Sequence, residues 1–145
     1  MKTESNKDSL GGRQLLSPDE PEENFVSGQI IAAAIKVHKN LGPGLLESSY
    51  EACLFYELEQ LGLKVRKQVP MPLVYESVQL DVGYRIDLLV EDKVVVEVKS
   101  VDALNDVHLA QVLTYLKLSK LKLGLLINFN VMQVVKGVKR VVNGL

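Results

Sequence analysis

The sequence predicts an α/β fold in which a mixed central β-sheet is flanked by helices. Two helical segments come first, three β-prone segments follow in succession, and one helix then leads to a further strand. A helix between two strands is typical of the crossover that joins parallel strands in a helix-covered sheet. The predicted element order is therefore α-α-β-β-β-α-β-β.

The length and composition indicate one globular domain that follows a polar tail. Of 145 residues, 47% are hydrophobic and 24% are charged, and residues 1–22 are rich in Ser, Gly, Pro and acids. Such a tail is expected to be disordered, so residues 23–145 form the domain. No apolar run approaches the about 18 residues of a membrane helix. The start lacks the apolar segment of a secretory signal, so we expect a cytoplasmic protein without membrane association.

The cysteine content and the net charge exclude some functions and restrain others. Cys53 is the single cysteine of the sequence, which excludes an intramolecular disulfide and a multi-cysteine metal site. The formal net charge is −1, whereas phosphate contacts usually require a basic surface. Any nucleic acid is therefore expected to bind weakly, locally or with help. No phosphate-binding glycine loop, dinucleotide fingerprint or serine elbow occurs.

Apolar spacing predicts the first two helices. Segment 24–38 repeats apolar residues at helical intervals, and the Gly-Pro segment 40–44 ends that helix. A second helix is predicted over 45–61, ended by Gly62. Its inward stripe is Glu47, Tyr50, Leu54, Leu58 and Leu61.

The remaining elements follow from β-prone runs and one further helical pattern. Strands are predicted over 64–75, 78–90, 93–100 and 123–128, and a helix over 105–119. Asn105 is the expected N-cap of that helix. Segment 131–142 holds one or two more strands.

Three charged residues on neighbouring strands form the first candidate site. Glu97 and Lys99 share one face of their strand, whose other face carries only valine. Asp87 stands opposite Glu97 if the connecting loop is the three-residue segment 91–93. A two-residue loop would place the two acids on opposite faces of the sheet unless a bulge intervened.

This arrangement favours metal-assisted chemistry. Carboxylates and carbonyls are the ligands that Mg²⁺ or Mn²⁺ prefers, and a bound ion would orient a water, lower its pKa and neutralise charge on a phosphate. Lys99 would hold the attacking water or stabilise the developing negative charge. The alternative is that Asp87, Glu97 and Lys99 are solvated charges on an exposed sheet face.

Two further features have both a functional and a structural interpretation. Glu47 lies on an apolar helix stripe, although a glutamate in a first turn is also favoured by the helix dipole. Gln111 and Tyr115 lie one helical turn apart and can order a phosphate or a neighbouring acid by hydrogen bonding. They also fit a helix edge with one polar residue near solvent.

Together these motifs resemble those of the GxxExxY family, a group within the PD-(D/E)XK nuclease-like superfamily. Gly44, Glu47 and Tyr50 match its signature. Segments 83–87, 97–99, 111–115 and 124–130 match its other motifs in order, so the resemblance covers about residues 26 to 130. Ile86 replaces the proline of the superfamily's name.

The resemblance implies a restriction-endonuclease-like αβββαβ core. It also implies a metal-dependent nuclease that hydrolyses phosphodiester bonds, with DNA as the first expected substrate. The implied cofactor is Mg²⁺ (or Mn²⁺). The implied metal ligands are Glu47, Asp87, Glu97 and the backbone carbonyl of Val98. The implied catalytic lysine is Lys99, and Gln111 with Tyr115 supplies the supporting helix motif.

Two alternative hypotheses stay open at this point. One is a catalytically inactive nuclease-fold module that binds nucleic acid or a protein partner, which the near-neutral charge favours. The other is a homodimer formed through the Val-rich segment 131–142.

Overall fold

The computed structural model describes residues 20–145 and has a mixed α/β architecture. The helices are α1 (Glu22–Leu41), α2 (Glu47–Gln60) and α3 (Asp106–Ser119). The strands are β1 (Val65–Pro70), β2 (Leu73–Tyr75), β3 (Val78–Leu80), β4 (Arg85–Val90), β5 (Val94–Lys99), β6 (Leu123–Asn128) and β7 (Val138–Val142). A short 3₁₀ helix (Val134–Gly137) precedes β7. The predicted tail, residues 1–22, falls outside the described residues except for its last three, and α1 begins at Glu22.

Five strands form the central sheet in the order β1-β4-β5-β6-β7. β5 and β6 are parallel and are joined through α3, while the other neighbours pair antiparallel. α1 and α2 pack on one face of the sheet, and α3 packs on the other. The predicted α/β class, with a mixed sheet flanked by helices, is confirmed and is consistent with a restriction-endonuclease-like fold. Within residues 20–145, no helix is both long and apolar enough to cross a membrane.

The predicted strands 64–75 and 78–90 are wrong as continuous elements. Pro70 and Pro72 interrupt the first, because proline supplies no backbone donor to a sheet ladder. The second breaks before Arg85, after Gly83 with its φ of 85°. β2 and β3 pair only with each other, as a separate two-stranded sheet.

The face alternation and the register of the β4–β5 hairpin agree with the sequence. Val94, Val96 and Val98 pack toward α1 and α2, whereas Val95 packs toward α3. Val90 pairs with Val94, so the connecting loop has the three predicted residues. Its first two residues, at positions 91 and 92, have φ values of 55° and 53°. The Asp87 and Glu97 positions therefore oppose each other.

The inward stripe of α2 is shorter than predicted. Tyr50, Leu54 and Leu58 are fully buried, but Leu61 is 45% exposed and Glu47 is also exposed. Leu61 follows the last helical residue, so the chain has already turned toward β1 at that point. Glu47 lies in the first turn, beyond the edge of the apolar core.

The remaining elements follow the predictions closely. The Asn105 side chain caps α3 by accepting a hydrogen bond from the His108 N–H, and the Asn105 N–H donates to His108 Nδ1. Segment 131–142 contains the 3₁₀ helix and one strand, β7, which lies at the sheet edge. The homodimer through this segment stays a prediction.

A tight backbone contact at Gly137 generates a test of the fold. A Cβ at this position would clash with the backbone carbonyl oxygen of Asn128, at the end of β6. Because a backbone atom cannot rotate away, Gly137→Ala is expected to lower the free energy of unfolding by about 1–3 kcal/mol. Chemical denaturation measures this loss.

Gly28→Ala is the matched control for that substitution. Gly28 lies within α1, and a Cβ there meets no atom within 4 Å. The control should gain up to about 1 kcal/mol from helix propensity. Equal stabilities for the two variants would contradict the packing described for Gly137.

Candidate active site

Asp87 and Glu97 form a reciprocal pair at the point where β4 separates from β5. The backbone ladder between these strands ends at Leu88 and Val96. Beyond it, the Asp87 N–H donates to Glu97 Oε2 at 2.9 Å, and the Val98 N–H donates to Asp87 Oδ2 at 2.9 Å. Each carboxylate thus accepts a hydrogen bond from a backbone N–H of the other strand. The side chains hold the two strands together while their backbones diverge.

Burial gives this pair unusual electrostatics. Glu97 is 4% exposed, and burial followed by repulsion from Asp87 raises the pKa of its carboxyl to about 8. Burial also raises the pKa of Asp87. Lys99 acts in the opposite direction and lowers the pKa of both acids. The pair lacks a close counter-charge within the described residues, since Lys99 forms no ion pair there.

Glu47 lies at the same end of the sheet. The Ser100 N–H donates to Glu47 Oε2 at 3.2 Å, and Ser100 Oγ donates to the Leu45 carbonyl at 2.7 Å. These bonds tie the start of α2 to the residue after Lys99. Glu47 contributes to the raised pKa of Asp87, so the two carboxylates repel each other electrostatically. Glu47 therefore lies both in the first turn of α2 and beside the acids.

The loop that presents Glu47 explains why Gly44 and Tyr50 accompany it. Gly44 has a φ of 96°, a conformation that glycine adopts without steric cost. The buried Tyr50 hydroxyl donates to the Gly42 carbonyl at 2.5 Å and accepts from the Leu45 N–H at 3.1 Å. One side chain thus fixes both sides of the turn that precedes Glu47.

Tyr115 lies beside the acids, whereas Gln111 does not contact them. Tyr115 is 5% exposed, and burial, with the charges of Glu97 and Asp87, raises its pKa to about 12. Its ring meets the edge of Tyr84, with the ring centroids 6.4 Å apart. Gln111 and Tyr115 of α3 line a cavity of about 200 Å³ together with Tyr84 and Leu73. Among residues 20–145, no hydrogen bond joins Gln111 to an acid.

Two site residues escaped the sequence-based predictions. Glu51 has a raised pKa, first from burial and then from Asp87 and Glu47. The Gln68 Nε2 donates to both oxygens of Glu51, at 3.1 and 2.9 Å, and to Asp87 Oδ1 at 3.3 Å. Glu51 was detectable, because residues four apart share a helix face with one another, as Glu47 and Glu51 do. Nothing in the sequence singles out Gln68.

Asn128 holds the chain segment that follows Lys99. Its side chain is 2% exposed, accepts from the Val101 N–H at 3.1 Å and donates to the Val101 carbonyl at 3.0 Å. The amide thus satisfies both backbone groups of one loop residue. Segment 124–130 was matched as a motif but received no role from the sequence.

The donor set suits a divalent ion, although the acids are not gathered into a metal cluster. Glu97 supplies buried oxygen donors and Asp87 supplies half-buried ones, and both acids have raised pKa values. A hard cation would stabilise their charged forms. Within the part of the chain that the structure describes, no three His, Cys, Asp or Glu side chains form a group that could hold a metal. The assignment of Glu47, Asp87, Glu97 and the Val98 carbonyl as ligands stays a prediction.

Comparison with known proteins adds one match. A family model described as the PD-(D/E)XK nuclease superfamily matches residues 24–141. No curated protein and no solved structure matches the chain significantly.

The raised pKa of Glu97 generates a test that needs no substrate. With a folded-state pKa of about 8 against an ordinary value of 4.5, the folded protein binds this proton more tightly than the unfolded chain. The free energy of unfolding therefore falls as the pH rises between these two values. The side chain at position 97 of the Glu97→Gln variant stays neutral at every pH. As the pH rises, the free energy of unfolding of Glu97→Gln minus that of the wild type should therefore increase by up to about 1.4 kcal/mol per pH unit.

Chemical denaturation across that pH window measures the difference between the two proteins. Glu59→Gln is the control, because it removes an exposed carboxylate of α2 instead of a buried one. Its stability should run parallel to that of the wild type. A Glu97→Gln curve that also runs parallel would contradict the buried, protonated state of Glu97.

Proposed function

This chain belongs to the PD-(D/E)XK nuclease superfamily, and from that membership we propose that it is a metal-dependent nuclease that hydrolyses phosphodiester bonds in DNA. The observation that carries the proposal is the reciprocally bonded pair of the half-buried Asp87 and the buried Glu97, with Lys99 close enough to lower the pKa of both. Gly44, Glu47 and Tyr50 support placement in the GxxExxY group.

Mg²⁺ or Mn²⁺ is the proposed cofactor. Asp87 and Glu97 would hold it, with Glu47 and the Val98 carbonyl as the further ligands, because carboxylate and carbonyl oxygens are the donors that these ions prefer. A bound ion would supply an activated water and positive charge beside the phosphate. The burial of Glu97 limits competing water around the pair.

The side chains around the pair have distinct proposed roles. Hydrolysis joins a water oxygen to phosphorus and breaks one P–O ester bond, so negative charge grows on the phosphate oxygens. The Lys99 ammonium stabilises that charge. Tyr115 and Gln111 orient the phosphate from α3. The Tyr115 hydroxyl stays protonated at neutral pH, since its pKa is raised to about 12, and therefore acts as a hydrogen-bond donor.

A second function is favoured by one observation. Three carboxylates are not gathered around one point in the described residues, and this is compatible with a nuclease-fold module that binds nucleic acid or a protein without cleaving it. If the chain binds nucleic acid or a protein but cleaves no nucleic acid with any divalent metal present, this second function would be established.

The first function makes a specific prediction for single substitutions. Asp87→Asn, Glu97→Gln and Lys99→Met should each lower the cleavage rate by a factor of about 100 or more. The first two remove a proposed metal ligand, and the third removes the positive charge that stabilises the phosphate. Labelled single-stranded and double-stranded DNA, with RNA in parallel, are incubated with Mg²⁺, Mn²⁺ or a chelator. Cleavage should require the metal.

Glu59→Gln again serves as the control, because the residue is exposed on α2. It should cleave at the wild-type rate. Undiminished cleavage by all three site variants, or cleavage in the presence of the chelator, would show that the activity does not arise from this site.

A further inference from the structure

Gln68 has a backbone conformation that is unusual for a strand residue. Its φ is 52°, although it lies in the middle of β1. Glycine adopts this region freely, whereas other L-residues do so at a steric cost. The other non-glycine residues of positive φ in the described chain lie in turns or at a helix end, at Glu76, Glu91, Asp92 and Lys120.

This conformation interrupts the sheet at one pair of residues. Lys67 pairs with Leu88 and Val69 pairs with Ile86, but the intervening pair of Gln68 and Asp87 is missing from the ladder. The two strands change faces together at that point. Leu88 belongs to the core under α1 and α2, while Ile86 belongs to the core under α3. Gln68 and Asp87 therefore leave the regular pleat side by side.

The released Gln68 side chain binds the acids of the site. Its amide nitrogen contacts both oxygens of Glu51 and Oδ1 of Asp87. The other oxygen of Asp87 accepts from the Val98 N–H. The Asp87 carboxylate is therefore held from both sides, by β1 through Gln68 and by β5 through Val98.

We propose that Gln68 is a positioning residue, whose strained backbone places one amide nitrogen between Glu51 and Asp87 and thereby fixes the Asp87 carboxylate for cation binding. The two N–H donors of this amide, placed between two carboxylates, reduce their repulsion before any cation arrives. Strain of this kind persists where the surrounding structure imposes it, often at functional sites. The purpose assigned to Gln68 rests on the proposed nuclease function, but its hold on Asp87 does not.

Two substitutions separate the amide from the backbone strain. Gln68→Gly relieves the strain and removes the amide, whereas Gln68→Glu keeps the strain and the side-chain length but replaces the donor with a repelling carboxylate. We expect Gln68→Gly to melt at or above the wild-type temperature, and Gln68→Glu to melt below it. Both should show amide hydrogen exchange at Val98 about tenfold faster than the wild type in metal-free protein, since Asp87 is no longer held.

Metal binding and cleavage supply the functional readouts. Calorimetry should show Mn²⁺ affinity reduced by about tenfold in both variants, as for other residues that orient a ligand. In cleavage assays the metal requirement should rise while KM for the nucleic acid stays unchanged. Lys120→Gly is the matched control: it relieves the same kind of strain at the exposed end of α3, where φ is 60°, and should leave Val98 exchange and Mn²⁺ binding unaltered.

The outcomes distinguish this inference from the function on which it rests. Val98 exchange at the wild-type rate in both Gln68 variants would overturn the positioning role, whatever the protein cleaves. Faster exchange in a protein that neither binds Mn²⁺ nor cleaves nucleic acid would show that Gln68 positions Asp87. It would refute both the role of that positioning in cation binding and the nuclease function. Unchanged Mn²⁺ affinity in a metal-dependent nuclease would refute the purpose alone.

Discussion

The structure depends on two carboxylates, the buried Glu97 and the half-buried Asp87, at the place where β4 and β5 separate. Burying a charged group is unfavourable unless hydrogen bonds or a counter-charge compensate it. Here the N–H groups of Asp87 and Val98 supply the hydrogen bonds, and the raised pKa of Glu97, at about 8, favours its neutral form. Because each carboxylate accepts from a backbone N–H of the other strand, the sheet opens there while the N–H groups of Asp87 and Val98 keep their partners. That opening is the candidate active site.

Helices from both faces of the sheet reach this opening. α2 approaches from one face of the sheet and presents Glu47 and Glu51, and α3 approaches from the other and presents Tyr115. Short polar links fix their positions: Ser100 ties β5 to the start of α2, and Asn128 fixes Val101 after the end of β5. These links constrain the backbone of the two residues that follow Lys99. Such support is what keeps charged groups in a defined geometry.

The sequence predicts those parts of the site that follow from local periodicity. Strand alternation places Glu97 and Lys99 on one face, and a three-residue loop then brings Asp87 opposite Glu97. Asn105 was identified as a cap because side-chain oxygens at that position accept from the first helical turn. By contrast, β2 and β3 form a sheet of their own, and this separation depends on which segments pair rather than on the pattern within either one. The positive φ of Gln68 arises from contacts between distant segments, which no local pattern contains.

Crystals grown with and without Mn²⁺ would test the central claim most directly, through anomalous difference maps around β4 and β5. The proposed function predicts a peak in contact with both the Asp87 and the Glu97 carboxylates, absent from the metal-free crystal. It also predicts that the reciprocal bonds to the N–H groups of Asp87 and Val98 define the metal-free form. No peak at saturating Mn²⁺, with both carboxylates still bonded only to the backbone, would contradict a metal-dependent site.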